Sequence, residues 1–418
     1  MLVFKFGGAS VKDAGGMVNL ANVVKKYESE QLLIVVSAMG KTTNALEKLT
    51  KAYFNRDENI YGIFEEIKQY HYDILNELFE SADPVFDEVE NTFVEIDWII
   101  EDEPHDDYDF IYDQIVSIGE LVSTRIVAAY LNKTGLKSRW LDVRGYVHTD
   151  NTYREGLVLW DKTKASINRD IPDILENSIV VTQGFLGGTS ENFTTTLGRE
   201  GSDYTASIFA ACLGAESVTT WKDVPGILNA DPKFFDDTIK FDELSYSEAI
   251  EMTYYGASVI HPKTIKPLQN AKIPLLVKPF ADPDAPGTVI KEHSNSIFIK
   301  PIIILKQNQV LLSLSAKDYS FISENHLSGI FGLFAQNQVK VNTMQTSALS
   351  FTVCIDFYED RFKKLLQDLA QHFRVKYNEE LTLITIRHYS PASLKELTAG
   401  KTILLEQVSR NTLQMVVK

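Results

Sequence analysis

A handful of short segments gathers the residue types that handle anions. In Lys5-Phe6-Gly7-Gly8-Ala9-Ser10 a lysine ends an apolar run and two glycines follow it. Glycine lets backbone amides approach an anion closely, and the ammonium supplies a point charge suited to phosphate. No G-x-x-x-x-G-K-[ST] string is present, so this is not a P-loop, and Gly-Gly after a strand equally suits a plain turn. Ser37-Ala38-Met39-Gly40-Lys41-Thr42-Thr43 follows a second apolar run; its hydroxyls suit a carboxylate or phosphate, or simply cap the next helix. The densest stretch is Thr182-Gln183-Gly184-Phe185-Leu186-Gly187-Gly188 followed by Thr194-Thr195-Thr196-Leu197-Gly198-Arg199-Glu200-Gly201-Ser202-Asp203-Tyr204-Thr205. It leads into the apolar helix Ala206–Leu213, with Ser202 or Asp203 as N-cap. A helix N-terminus flanked by glycines and one arginine makes an anion site, and Arg199 can hold a carboxylate through two parallel hydrogen bonds. Trp221 to Lys233 is a polar turn that suits a nucleotide without requiring one, and His261 before Pro262 reads as a helix-end histidine rather than a base.

Short strands alternating with helices must position these segments. Leu2–Phe6, Leu32–Val36, Ser138–Leu141, Ile179–Val181 and Ser217–Trp221 are apolar or β-branched. Amphipathic stretches such as Met17–Tyr27, Ile115–Leu131 and Tyr204–Leu213 lie between them. The alternation predicts an α/β domain with a mostly parallel sheet that binds ligands outside the carboxyl ends of its strands. Thr43 to Asp113 predicts a helical insertion between two strands. The Pro- and Asp-rich run Pro279 to Thr288 suits the closing of this domain, assigned to 1–294.

Beyond Ser294 the texture changes. Strands are expected at Val310–Ser315, Val339–Gln345 and Ala348–Asp356, and helices at Ser328–Asn337 and Arg361–His372. This is a ferredoxin-like α+β pattern, assigned to 295–380, with a second and shortened unit at 381–418 that begins at Leu381–Arg387. The second unit stops a helix and a strand early. A strand left at an open edge tends to find a partner, so a homo-oligomer (a dimer or higher) is expected through the tail.

Length and composition bound the rest. A chain of 418 residues suggests two to three domains. Its net charge is −16, and 13 acids with no Lys or Arg lie between Asp83 and Asp113, leaving −3 for the remainder (−16 plus 13). Within that stretch Val85, Val89, Phe93, Ile96 and Ile100 recur at helical spacing, so it reads as a solvated helix face. No basic stripe exists to hold nucleic acid, and no membrane span is expected. Two cysteines, Cys212 and Cys354, rule out a disulfide scaffold; with no signal-peptide pattern at Met1 to Gly7, a cytoplasmic location is expected.

Taken in this order, the segments resemble the amino acid kinase superfamily and, within it, the aspartokinases, over nearly the whole chain. Lys5 to Ser10 matches the opening Lys-Phe-Gly-Gly motif, and Ser117-Ile118-Gly119-Glu120 the Ser-x-Gly-Glu helix start. Asp142-Val143-Arg144 and Thr194 to Thr205 follow the family pattern, and the tail resembles tandem ACT domains. The resemblance implies a three-layer kinase domain followed by a regulatory ACT region. It implies transfer of the γ-phosphoryl group of ATP, with Mg²⁺, to the β-carboxylate of L-aspartate, the first step of lysine, threonine and methionine biosynthesis. Lys5 and Asp203 then match catalytic positions, and Ser37, Thr43, Glu120, Arg199 and Ser202 match positions that bind aspartate. Lys5, Gly7, Gly8, Ser10, Lys222, Asp223, Leu228, Lys233 and Ser258 fall on the nucleotide side, and an amino-acid effector is expected at the ACT region. Another amino acid kinase with a different carboxylate substrate, or a non-catalytic amino-acid sensor, are the competing readings.

The chain departs from the family mainly beside the nucleotide. Lys222 stands where Thr is usual, Leu228 for Tyr, Lys233 for Arg, Ser258 for Lys, and Glu200 for a frequent Gly. Lys222 or Lys233 is expected to restore the positive charge lost at Ser258. In the tail, Asn342 stands where lysine-sensitive relatives often carry an acid, so no particular effector is assigned.

Overall fold

A computed structural model describes residues 1–257, 260–294, 301–318, 320–389, 397 and 400–418. The chain divides into two compact units. One comprises Met1–Ile227, Lys240–Ile250 and Val259–Ser296, the other Leu228–Ile239, Glu251–Ser258 and Ile297–Lys418.

In the first unit β1 (Leu2–Phe6), α1 (Ala14–Lys25) and β2 (Leu32–Val36) are followed by α2 (Thr42–Asn55), α3 (Ile60–Leu78), α4 (Val85–Glu101), α5 (Tyr108–Val116) and α6 (Ile118–Lys133). Then come β3 (Ser138–Leu141), α7 (Trp160–Leu175), β4 (Ile179–Gln183), the short β5 (Leu186–Gly188) and β6 (Thr194–Thr196), α8 (Gly201–Leu213) and β7 (Ser217–Lys222). The series ends with β8 (Glu243–Ser245), α9 (Tyr246–Tyr254), α10 (Pro262–Ala271), β9 (Leu275–Pro279) and β10 (Thr288–Lys291). The eight-stranded sheet has the order β3-β4-β2-β1-β7-β9-β10-β8, parallel except where β10 runs against β9. The Pro- and Asp-rich run 279–288 is the connection between those two strands.

Every residue of β2 and β4 is buried, so both faces of the central sheet are covered, which is why these strands read as unbroken apolar runs. The sheet grows from β1 toward β2 in one direction and toward β7 in the other. Beside β1 the order therefore reverses, and the carboxyl ends of strands at such a reversal open a crevice. Register decides what faces it. Lys5 lies opposite Thr220 and Phe6 opposite Trp221. Alternation then puts Lys5 and Lys222 on one face, while the Phe6 and Trp221 rings stack on the other with centroids 6.1 Å apart.

The helical insertion is α2 through α5. Val85, Val89, Phe93, Ile96 and Ile100 are the buried stripe of α4, and the acids of 83–113 are exposed or half-buried except Asp113. Residues 108–133 are apolar and long enough to cross a membrane by composition alone. They are, however, mostly buried within the unit, broken at Ser117 between α5 and α6, and carry buried Asp113 and Glu120. This is a core segment.

The second unit contains β11 (Ile302–Ala316), α11 (Glu324–Gln336), β12 (Val341–Thr346), β13 (Phe351–Asp356), α12 (Glu359–His372), β14 (Phe373–Arg387), β15 (Ile403–Val408) and β16 (Thr412–Val417). They form one antiparallel sheet in the order β12-β13-β11-β14-β16-β15. Here the structure draws the tail differently from the sequence expectation. β11 and β14 are both 15 residues long, with register shifts between Lys306 and Leu311. Their far halves join β12 and β13 in a ferredoxin-like order, closed by Val310, Leu312, Ile330, Phe334, Val353, Leu365 and Leu369. Their near halves join β16 and β15. The expected break at 380/381 falls inside β14, and Ile302–Lys306 supplies the strand that 381–418 lacks. The free edges are thus β12 and β15. The helix expected after Arg387 falls largely on 390–396, outside the described residues.

Candidate active site

Three charged groups meet at the carboxyl ends of β1 and β7. Lys5 Nζ lies 2.8 Å from Asp203 Oδ1, and Lys222 Nζ lies 3.8 Å from Asp203 Oδ2. Asp203 sits in the first turn of α8, where a carboxylate complements the helix N-terminus, and no side chain caps that end. Burial on its own would raise the Asp203 pKa, but Lys5 and Lys222 outweigh it and hold the carboxyl below its ordinary value.

Glycine is required where the loops close on this cluster. A Cβ on Gly8 would stand 2.6 Å from the Ala38 carbonyl oxygen and 2.8 Å from that of Gly40. The Gly40 amide donates to the Gly8 carbonyl at 3.0 Å, so the turns after β1 and β2 are pressed backbone to backbone. A Cβ on Gly184 would stand 2.3 Å from Cβ of Ser202, which fixes the start of α8 against the turn after β4. Gly7 accepts from the Ser10 amide at 2.9 Å, closing the first loop around buried Ser10.

A second buried carboxylate lies beside the first loops. Glu120, in the opening turn of α6, is 2% exposed. Its Oε1 accepts from the Ala38 amide at 3.3 Å, while Oε2 is buried with no hydrogen-bond partner. Burial pushes its pKa up to about 8, against weaker pulls from the Ala38 amide and the Lys5 charge. Ser37 is half-buried, and its carbonyl accepts from Ser123 Oγ at 2.6 Å. Thr43 is half-buried in the first turn of α2. Its neighbour Thr42 donates to the Met39 carbonyl at 2.7 Å and touches buried His71, which burial lowers to about 4 and so keeps neutral. Arg199 is exposed in the turn before α8 and forms no ion pair among the described residues.

Two acids carry more of the local geometry than the sequence disclosed. Asp113 is fully buried and accepts from the amides of Arg154 (2.8 Å) and Thr196 (2.9 Å) and from Thr196 Oγ1 (2.7 Å). It ties β6 and the 150–157 loop to α5, and burial raises its pKa to about 6. Its only signal was an acid inside the apolar run Ile111 to Val116. Glu200 has φ +55°, which explains why relatives favour glycine there, and its carboxylate accepts from the His261 amide at 2.7 Å. His261 caps α10, its Nδ1 accepting from the Lys263 amide.

Lys5, Gly7, Gly8, Ser10, Ser37, Thr43, Glu120, Arg199, Ser202, Asp203 and Lys222 thus all belong to the first unit, on the loops and helix starts that follow β1, β2, β6 and β7 and on α6. Asp223 is exposed just beyond β7. Half-buried Leu228 and exposed Lys233 belong to the second unit, and Ser258 lies outside the described residues.

The model of the amino acid kinase family matches residues 1–279. The chain is 33% identical over 398 residues to chloroplastic aspartokinase 1 of Arabidopsis thaliana, covering 92% of this chain and 68% of that protein. It is 30% identical over 394 residues to lysine-sensitive aspartokinase 3 of Escherichia coli, covering 92% and 86%. The crystal structure of E. coli aspartokinase III in complex with aspartate and ADP superposes with a TM-score of 0.84 at 28% identity, over 100% of this chain and 96% of that one.

Proposed function

The chain belongs to the amino acid kinase family and, within it, to the aspartokinases, and from that membership we propose that it transfers the γ-phosphoryl group of ATP to the β-carboxylate of L-aspartate. The observation that carries the choice of an amino-acid substrate is Glu120: a buried carboxylate with one free oxygen, in a protein whose nearest printed cation to it, Lys5, is already taken by Asp203. A substrate ammonium satisfies that oxygen. Arg199 then takes a carboxylate, and the hydroxyls of Ser37, Thr43 and Ser202 supply neutral contacts.

No general base is needed. The attacking side-chain carboxylate has a pKa near ~3.9 and is already ionised at neutral pH. Its oxygen forms a bond to the γ-phosphorus as the bond from phosphorus to the bridging oxygen breaks, and the electron pair leaves on ADP. The obstacle is repulsion between two anions, so the protein contributes position and positive charge. Lys5, oriented by Asp203, and the amides of the Gly7-Gly8 turn supply both. No group of three potential metal ligands occurs among the described residues, so Mg²⁺ fits here as an ion carried by the nucleotide phosphates rather than held in a protein cage. Bound that way, it would neutralise charge on the phosphates.

The test is an acyl-phosphate trap. The protein, ATP and Mg²⁺ with hydroxylamine and a panel of amino acids should yield hydroxamate with aspartate. A larger yield with glutamate would redirect the reading to another carboxylate, and no yield with any amino acid would leave a sensor.

For the tail, we propose an amino-acid effector site and a homo-oligomer formed through the second unit. Supporting the latter, edge strand β15 exposes Ile403, Leu404 and Val408, and edge strand β12 exposes Met344. Both cysteines are free and buried, in keeping with a reducing compartment such as the cytoplasm.

A further inference from the structure

We propose that Lys222 is a second phosphate-binding cation of this centre, so that the transferring group is gripped by two ammonium ions that bracket one carboxylate. The proposal rests on the reading of the site as a phosphoryl-transfer centre. It starts from the parallel register of β1 and β7. Lys5 pairs with Thr220, and Lys222 lies two residues further on, hence on the same face and one step nearer the crevice. The side chains of Lys5, Asp203 and Lys222 are 11%, 4% and 23% exposed.

Charge decides what such a group awaits. Two cations and one anion leave one positive charge in a largely desolvated place, which is costly until an anion arrives. Glu120, the other buried acid that feels the Lys5 charge, does not cancel it, because burial keeps it largely protonated at neutral pH. Lys5 lies at hydrogen-bonding distance from Asp203, whereas the 3.8 Å contact of Lys222 is that of a charge pair rather than a hydrogen bond. Lys222 is also the more exposed of the two ammonium groups. The pair accordingly divides into an anchored cation and an outer one. An anion with several oxygens, such as a terminal phosphate, is the ligand class that can accept from both, and Lys222 would act as a fixed charge that neither gains nor loses a proton.

The deciding measurement is affinity of the full-length protein for the non-hydrolysable β,γ-imido analogue of ATP, by calorimetry, alongside hydroxylamine-trapped turnover with aspartate. Lys222→Ala should weaken the analogue about tenfold and leave the aspartate KM within about twofold, with Lys222→Arg recovering part of the loss. The loss should persist when both proteins also carry Asp203→Asn. Unchanged analogue affinity in Lys222→Ala, or a loss that vanishes in the Asp203→Asn background, overturns the proposal; the second result would mean that Lys222 only positions Asp203. Failure of the wild-type chain to make hydroxamate would count against the reaction instead, and the analogue titration would still decide the role of Lys222.

Discussion

Asp203 and Glu120 are carboxylates buried to nearly the same degree, 4% and 2% exposed, in two neighbouring regions of one crevice, and their surroundings drive them in opposite directions. Asp203 has two lysines against it and is held as an anion. Glu120 has one backbone amide and a free oxygen, and burial holds it near a pKa of about 8. Burial is common to both, so the difference comes from what each already touches. The Asp203 region has its countercharge built in and offers surplus positive charge to an incoming anion. The Glu120 region lacks its countercharge, and a substrate must bring it. A crevice that is cationic on one side and short of a cation on the other matches the two ligands assigned to it, a polyphosphate and an amino acid.

The hardest blow to this contrast is Lys5→Ala. It removes the tighter partner of Asp203 and the charge nearest the reacting phosphate, and should lower kcat about 10²–10³-fold, in the range for removing a fixed transition-state donor. The aspartate KM should move much less. Steady-state kinetics with trapped product provides the check, and a kcat within threefold of wild type would remove Lys5 from the chemistry.

Glu120→Gln acts on the opposite region. Glutamine keeps an acceptor toward the Ala38 amide but carries no charge for an ammonium. Loss of a hydrogen bond between charged partners costs about 1.5–3 kcal/mol, so the aspartate KM should rise roughly 10- to 150-fold while that of ATP stays nearly fixed. Equal rises in both constants would show that the two regions are not separate.

Titration sharpens the contrast further. Below about pH 8 Glu120 holds a proton that must leave before it can pair with an ammonium. The aspartate KM should therefore rise about tenfold for each unit that pH drops below 8, level off above it, and lose this slope in Glu120→Gln. Stability runs the other way. Between its ordinary carboxylate range and pH 8 the folded chain holds a proton that the unfolded chain has released, so this group's contribution falls as pH rises through that window. Thermal melts of wild type and Glu120→Gln without substrate should converge at low pH and separate in favour of the variant above pH 8.

Neither the pairing nor the vacancy was legible before the structure. The residue types and the strands were: β1, β2 and β3 coincide with the expected runs, because each is short, apolar and closed by a small or polar residue. α8 begins at Gly201, ahead of the expected Tyr204, because a glycine and two polar residues read as loop although they form the helix's first turn. What remained hidden depends on neighbours distant in sequence. The free oxygen of Glu120 follows from what packs around α6, and the approach of Lys222 to Asp203 from the register of β7 on β1. The tail was misdivided for a related reason. The middles of β11 and β14 are polar and exposed around Gln307–Asn308 and Lys376–Glu380, and a bulged strand crossing solvent looks like two strands with a break.

A third carboxylate tests whether the contrast extends to acids that serve the backbone. Glu200 sits at φ +55° and accepts from the His261 amide at 2.7 Å, so it combines an unfavourable backbone conformation with a favourable charge-assisted bond. A non-glycine residue in the left-handed region costs about 1–2 kcal/mol, and one hydrogen bond to a charged group contributes about as much. Glu200→Gly removes both and should change stability by less than about 1 kcal/mol. Glu200→Ala keeps the strain and loses the bond, so it should be the less stable of the two by about 1 kcal/mol. Denaturant unfolding of the three proteins gives the order. If alanine proved equal to glycine, the left-handed conformation would carry no cost here, and the glycine that relatives favour at this place would need an explanation from the phosphate side of the crevice instead.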